Sequence, residues 1–113
     1  MLKKEFRIVS NKDFQRIYQK GKFFSNKDFV VKFLPNRFSF PRVGIVVSKK
    51  KVKKAVERNK LKRQLREVIK SEFSNLKEGF DIVVILRNNI YGFKFEELRK
   101  SLILLLKEAG LRR

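Results

Sequence analysis

The segment Lys49–Arg66 concentrates side chains that bind anions. Ten of its eighteen residues are Lys or Arg, and Glu57 is its one acid. Cations at this density neutralise phosphates and release counterions, and the arginine fork can bind phosphate oxygens bidentately. The segment therefore predicts a surface for a polyanion.

The later part of this segment has the pattern of an amphipathic helix. Apolar residues fall on one side at about 100° per residue, and a cationic stripe falls on the other. The apolar residues are Leu61, Leu65, Val68 and Ile69, and the stripe consists of Asn59, Lys62, Arg63, Arg66 and Lys70. A solvated helix face usually mixes acids and bases four residues apart, whereas only Glu57 could relieve this charge before Glu67. The stripe is therefore predicted to contact a phosphate backbone.

The whole chain is strongly basic. It has 113 residues, 30 Lys and Arg against 11 Asp and Glu, a formal net charge of +19 and a sequence pI near 10.7. A charge this large opposes folding through self-repulsion, which favours a polyanionic partner, with nucleic acid first and an anionic membrane surface second. At 42% hydrophobic residues with twelve Phe, one folded domain over residues 1–113 is expected.

The composition also excludes several kinds of site. The chain has no Cys and no His, so disulfides, Cys/His zinc sites and histidine acid–base catalysis are excluded. No apolar stretch approaches the roughly 20 residues of a membrane span. The segment Met1–Arg7 lacks the apolar core of a signal peptide, so a cytoplasmic protein without membrane association is expected.

The remaining chain must position the basic segment. Ser10 is expected to cap a first helix that ends near Gly21. Strand patterns cover Lys22–Leu34, Arg42–Ser48 and Phe80–Leu86, and the last segment, Lys94–Ala109, is helical. We expect the second of these strand runs to pair antiparallel with the first, and Phe80–Leu86 to be a central strand. The prediction is an α+β sandwich with the element order αβββαβα, three helices and one mixed sheet of roughly four strands.

The spacing within the basic segment resembles the signature of the bacterial ribonuclease P protein component family. The matching positions are Ser48–Lys50, Lys54–Val56, Arg58–Lys60, Lys62–Arg63 and Arg66–Glu67. The resemblance extends to Asp13–Tyr18 with Gly21, to Arg42–Ser48 and to Gly79–Arg87, in the family's order. Two positions depart from it: Lys60 replaces an Arg and loses the planar fork, and Lys53 replaces a common Gly.

The resemblance implies a function in tRNA maturation. The family's enzyme removes the 5′ leader of precursor tRNA, its RNA subunit is catalytic, and that RNA holds most of the magnesium. The protein binds the catalytic RNA and the leader, with no cofactor of its own, and is expected to be monomeric in the holoenzyme. A left-handed strand–helix–strand crossover around the basic helix is also implied.

The family binds RNA in two places, which map onto two sets of residues here. The surface for the catalytic RNA comprises Lys49, Lys50, Lys51, Lys54, Arg58, Asn59, Lys60, Lys62, Arg63 and Arg66. The leader cleft comprises Phe14, Tyr18, Val30 and Lys32. Unpaired bases stack on aromatic faces with little sequence demand. Two assignments stay open: Phe14 can instead belong to the core, and Arg58, which lies toward the apolar side of the helix by phase, can instead make a structural contact.

Other functions share part of this pattern. A basic ribosomal-type protein would share the charge but not the motif spacing, and the RNA that copurifies would distinguish the two. A membrane-surface protein would need large apolar residues free to insert. A protein nuclease acting alone would need a catalytic site, and the sequence shows no such cluster.

Overall fold

The computed structural model describes residues 3–113; Met1 and Leu2, which begin the N-terminal segment considered above, lie outside it. The helices are α1 (Asn11–Lys20), α2 (Ala55–Glu72) and α3 (Phe95–Glu108), and the strands are β1 (Lys22–Ser25), β2 (Phe29–Pro35), β3 (Arg42–Val46) and β4 (Phe80–Leu86). Short 3-10 helices occupy Lys4–Phe6 and Phe73–Asn75. The predicted α+β class and element order are confirmed.

The four strands form one mixed sheet in the order β1-β2-β4-β3. β2 pairs antiparallel with both β1 and β4, whereas β3 pairs parallel with β4. The predicted antiparallel pairing of Arg42–Ser48 with the preceding strand is therefore wrong. β4 takes the place between them because its apolar run is almost wholly buried and needs a covered position with a neighbour on each edge. Its predicted central position is confirmed.

The strand pattern over Lys22–Leu34 is a hairpin of two strands. Asn26 makes the turn: its side-chain oxygen accepts hydrogen bonds from the amides of Asp28 (3.0 Å) and Phe29 (2.8 Å). An Asx turn of this kind reverses the chain without glycine. β1 consequently becomes an edge strand, and all four of its residues are exposed.

The sheet separates two helical layers. Leu61, Leu65 and Val68 of α2, together with the apolar face of α3, pack on one side of it. Ile17 of α1 packs on the other side, against Val83 of β4. The parallel pair β3 and β4, connected through α2, forms the strand–helix–strand unit of the fold; the left hand of that crossover stays a prediction from the resemblance.

Candidate nucleic-acid interface

The basic segment folds as a turn followed by a helix. Lys49–Lys51 form the turn, in which Ser48 accepts hydrogen bonds from the amide of Lys51, and Val52 anchors the turn because its side chain is fully buried. α2 then begins at Ala55. Lys49, Lys50, Lys51 and Lys54 all point into solvent as a result.

Arg58 ties this turn to the helix. Its Nη1 donates to the carbonyl oxygens of Val52 (2.9 Å) and Lys53 (2.8 Å). The structural contact that its helical phase allowed is therefore present. These bonds satisfy carbonyls of the turn and fix the approach of the lysine turn to α2.

The predicted stripe lies along the open side of α2. Leu61, Leu65, Val68 and Ile69 are fully buried beneath it, as the pattern predicted. The side chains of Asn59, Lys62, Arg63 and Arg66 border one groove of about 350 Å³, together with Glu67. Lys60 does not border that groove, and its Nζ lies 5.6 Å from the centroid of the Tyr91 ring.

The four predicted cleft residues lie together on the other face of the sheet. The rings of Phe14 and Tyr18 are 6.3 Å apart, and Nζ of Lys32 lies 5.2 Å from the Tyr18 ring. Val30 and Lys32 occupy alternate positions of β2 on this face, and both are half-buried. Burial raises the pKa of the Tyr18 hydroxyl, so this group stays protonated and can donate a hydrogen bond at neutral pH.

Phe14 belongs to both the core and the cleft. It packs beside Ile8 and Ile17, and it also borders an open cavity of about 130 Å³. Gly44 of β3 makes room for the ring, because a Cβ at that position would lie 2.8 Å from two Phe14 ring carbons. One edge of the ring is therefore structural, and another is accessible.

Two further residues join the site that the sequence did not indicate. Arg7 borders the same cavity as Phe14, and its buried Nε has no hydrogen-bond partner among the described residues. Phe23 pairs with Lys32 across the hairpin and is 65% exposed, which extends the aromatic surface to the sheet edge. The hairpin register could have revealed Phe23, whereas nothing in the sequence distinguishes Arg7 from other arginines.

A buried carboxylate fixes α1 above the sheet. Asp81 of β4 is fully buried and accepts two hydrogen bonds from Arg42 (2.9 and 2.7 Å), one from Arg16 (3.3 Å) and one from Asn36 (2.9 Å). The hydrogen bond to Asp81 raises the pKa of Arg42 despite partial desolvation, and the charges of Asp81 and Asp13 add to it. Since Asp13 and Arg16 are on α1, this network positions the helix that carries Phe14 and Tyr18.

The lysines take no part in the ion pairs of the described chain. Every ion pair within 4.0 Å among residues 3–113 has an arginine as its cation. The lysines of the basic turn, of the stripe and of the cleft consequently keep their charge unneutralised by the described chain. That charge produces a strong attraction for phosphates.

Neither a membrane span nor a metal cluster is found in the described part of the chain. Across residues 3–113, no helix is long and apolar enough to cross a membrane. No three Asp, Glu, His or Cys side chains in that range are grouped to hold a metal ion.

The two predicted RNA surfaces meet at one side chain. Arg66 borders both the groove along α2 and the cavity beside Phe14. The model of the Ribonuclease P family matches residues 2–110 of the chain. The chain belongs to the ribonuclease P protein family.

Individual relatives agree with this assignment along nearly the full length. A ribonuclease P protein component from Streptococcus agalactiae is 43% identical over 110 residues, which is 97% of this chain and 99% of that protein. Among solved structures, the RNase P protein of Staphylococcus aureus has a TM-score of 0.87 at 40% identity, with 96% of this chain and 98% of that chain covered. The RNase P protein from Thermotoga maritima has a TM-score of 0.83 at 40% identity, with 90% and 96% covered.

Proposed function

We propose that this chain is the protein subunit of a bacterial ribonuclease P, and that it binds the catalytic RNA and the 5′ leader of precursor tRNA at the same time. The observation that carries the proposal is the position of Arg66, which connects the groove of α2 to the cleft of α1. A substrate strand in the cleft would then lie beside the RNA that binds α2. The protein's role is to hold the leader while the RNA subunit cleaves the phosphodiester bond.

The catalytic RNA would bind along the turn and α2. Asn59, Lys62 and Arg63 line a groove that is open to solvent, and Lys49–Lys51 extend the charge beyond the helix N-terminus. Groups of this kind bind the sugar–phosphate backbone and so recognise position and shape more than sequence. Lys60, beside Tyr91, offers a point charge and not a bidentate fork.

The leader would bind in the cleft between α1 and the sheet. Tyr18 offers a ring face on which an unpaired base can stack, worth about 1–3 kcal/mol, and the accessible edge of Phe14 adds an aromatic contact. Lys32 and Arg7 would hold phosphates, and the buried Nε of Arg7 is a donor that a phosphate or its hydration shell would satisfy. Stacking and phosphate contacts tolerate many leader sequences, which suits a subunit that acts on many tRNA precursors.

The chemistry would belong to the RNA partner. We propose that the magnesium of the holoenzyme is held mainly by the RNA, that no cofactor is bound by the protein alone, and that one copy of the chain acts per holoenzyme in the cytoplasm. Phosphates of the two RNAs repel one another where they approach closely, and magnesium screens this repulsion. The protein lowers the magnesium requirement because its own cations screen part of it.

A cleavage assay tests this function directly. The chain is mixed with a bacterial ribonuclease P RNA and labelled precursor tRNA at low magnesium concentration, and the rate of leader removal is measured. We expect the wild-type chain to raise the rate well above that of RNA alone, and a Lys100→Ala/Lys107→Ala variant, which loses two exposed charges of α3, to do nearly the same. No increase with the wild-type chain would reject the proposal.

A further inference from the structure

A second cavity lies at the corner between α1 and β1, and no residue of α2 borders it. Its volume is about 340 Å³, which is within the range of about 300–1,000 Å³ common for small-molecule sites. Three lysines border it: Lys20 at the end of α1, Lys22 at the start of β1, and Lys77 before β4. No acidic side chain borders it among the described residues, and none of the three lysines has a carboxylate within 4.0 Å there. The cavity is therefore electropositive.

Aromatic rings form the floor of this cavity. Phe33 and Phe80 border it and contact each other edge to face, with ring centroids 6.0 Å apart. Phe24 stacks on Phe33 with ring centroids 6.2 Å apart and is 41% exposed. Nζ of Lys77 lies 5.5 Å from the centroid of Phe80. Cations around aromatic faces match the two parts of a nucleotide, its phosphate and its base.

Two residues that border the cavity, Lys20 and Lys22, are close in the chain to residues at the end of the leader cleft. Tyr18, Lys32 and Phe23 form the end of the cleft nearest β1. Lys22 immediately precedes Phe23 on β1, and the alternation of strand side chains directs Lys22 to the other face of the sheet. Lys20 and Lys22 flank the Gly21 corner between α1 and β1, and β1 pairs with β2 alone among residues 3–113.

The positions of the α2 stripe and of β1 indicate the direction in which the leader would run across the protein. The stripe of α2 and Arg66 lie beside β3, at one edge of the sheet, whereas β1 is the other edge. If the catalytic RNA binds at α2, the leader nucleotides near the cleavage site lie at that edge. The nucleotides that reach β1 are then farther from the cleavage site.

We propose that the cavity bordered by Lys20, Lys22, Lys77, Phe33 and Phe80 binds an unpaired nucleotide of the precursor-tRNA leader, beyond those held in the cleft. The lysines contact its phosphates, and the base lies against the two phenylalanine rings. This site rests on the proposed function, because its ligand is the same strand that occupies the cleft. It extends the leader path around the β1 edge.

The test compares two leader lengths on the assembled holoenzyme. Precursor tRNAs with leaders of about 4 and about 10 nucleotides, within the span of single-strand site sizes, are titrated by fluorescence anisotropy. For Lys22→Ala/Lys77→Ala, we expect affinity for the long leader to fall about fivefold or more, with affinity for the short leader unchanged. The charge-matched control Lys100→Ala/Lys107→Ala should preserve both affinities.

A charge-neutral variant separates binding from general electrostatics. Ala109 borders the cavity with a helical backbone, so Ala109→Leu fills part of the cavity without changing charge. We expect it to reduce only the long-leader affinity, and circular dichroism verifies its fold.

Three results would overturn the site. One is equal long-leader affinity for the wild type and the lysine variant, which would mean that the lysine stems merely cover the rings. Another is an equal loss for both leader lengths, and the third is the same loss in the control. Failure of the proposed function would look different, because the wild-type holoenzyme would then show no preference for a leader of either length.

Discussion

Arg66 is the residue at which the two proposed RNA surfaces meet, whereas Arg63 borders the groove alone. Arg66 borders the groove of α2 and the cavity of Phe14, whereas Arg63 borders only the groove among the cavities described. Neither side chain is in an ion pair within the described chain. The two arginines should therefore differ in which RNA they affect.

Single substitutions at these arginines test that difference. Arg63→Ala and Arg66→Ala should each weaken binding of the ribonuclease P RNA and reduce the slope of log K against log salt by about 1, because each removes one phosphate contact. Arg66→Ala should also weaken binding of a leader-containing substrate to the holoenzyme. Filter binding over a salt series measures the first effect, and substrate titration measures the second. Equal effects of the two variants on the leader would contradict the assignment, and loss of the helical far-UV signal would show a structural role.

Helical phase predicted the stripe, and the family resemblance implied the cleft, but neither predicted how closely individual side chains are packed. Arg58 is a case in which the phase correctly allowed a structural contact, since its donors hold the turn. Arg7 could not be predicted, because its burial depends on β3, with which it pairs through Val43. Such long-range placement has no local sequence pattern.

At the level of elements, a close packing contact and a polar network add to the packing of Ile17 in holding α1 to the sheet. The ring of Phe14 lies directly over Gly44, and Asp81 binds Arg16 of α1 and Arg42 of β3. Both contacts join α1 to strands that are distant in sequence. The geometry of the cleft depends on them.

Gly44→Ala should disturb the cleft without changing any charge. The added Cβ would lie 2.8 Å from the Phe14 ring, so the ring and α1 must shift. We expect a loss of about 1–3 kcal/mol in the free energy of unfolding, together with weaker leader binding. Urea denaturation measures the former.

A second variant provides the control. Phe14→Leu in the Gly44→Ala background removes the ring that clashes, so the double variant should recover part of the stability relative to the sum of the two single changes. If the losses of the two single variants simply add in the double variant, the clash with the Phe14 ring is not what destabilises Gly44→Ala.

The elements themselves followed from local patterns, but their arrangement did not. Ser10 was expected to cap α1, and its Oγ accepts a hydrogen bond from the amide of Asp13 at 3.4 Å. The pairing of β3 was predicted wrongly because strands adjacent in sequence often pair, whereas β4 inserts between β2 and β3. The strand order depends on burying the most apolar strand between two neighbours. The sequence pattern of one segment alone does not show which strands those neighbours are.

At the scale of the whole molecule, the three buried acids Asp28, Glu72 and Asp81 accept side-chain hydrogen bonds that hold the fold together. Glu72 at the end of α2 is buried and accepts hydrogen bonds from Asn75 (3.1 Å), Arg99 (3.1 Å) and Arg112 (2.8 Å). Burial acts to raise the pKa of Glu72, but the hydrogen bonds from Asn75 and Arg112 and the charges of Arg112 and Arg99 outweigh it, so the pKa is lowered. The ionised carboxylate therefore stabilises the folded state.

Ionised Glu72 should stabilise the folded chain at neutral pH and should lose this effect as the pH becomes acidic. Because the folded-state pKa is lowered, the contribution is complete above the unfolded value of about 4.3 and is lost as the pH falls through the folded value. Glu72→Gln should cost about 1–2 kcal/mol at neutral pH, and the difference from wild type should shrink below about pH 4. Glu78→Gln is the matched control: its pair with Arg113 is exposed, so its effect should be below about 0.5 kcal/mol. A difference for Glu72→Gln that is constant from neutral to acidic pH would contradict this account.

We propose that one surface of this protein holds the catalytic RNA while the adjoining cleft holds the leader. The most direct measurement is the ratio of holoenzyme affinities for precursor tRNA and for mature tRNA, which lacks the leader, with wild-type, Tyr18→Phe and Tyr18→Ala chains. We predict that wild type prefers the precursor, that Tyr18→Phe keeps this preference because the ring remains, and that Tyr18→Ala loses about 1–3 kcal/mol of it while it still binds the RNA subunit. Equal affinity of the wild-type holoenzyme for precursor and mature tRNA, or an unchanged ratio with Tyr18→Ala, would contradict the account.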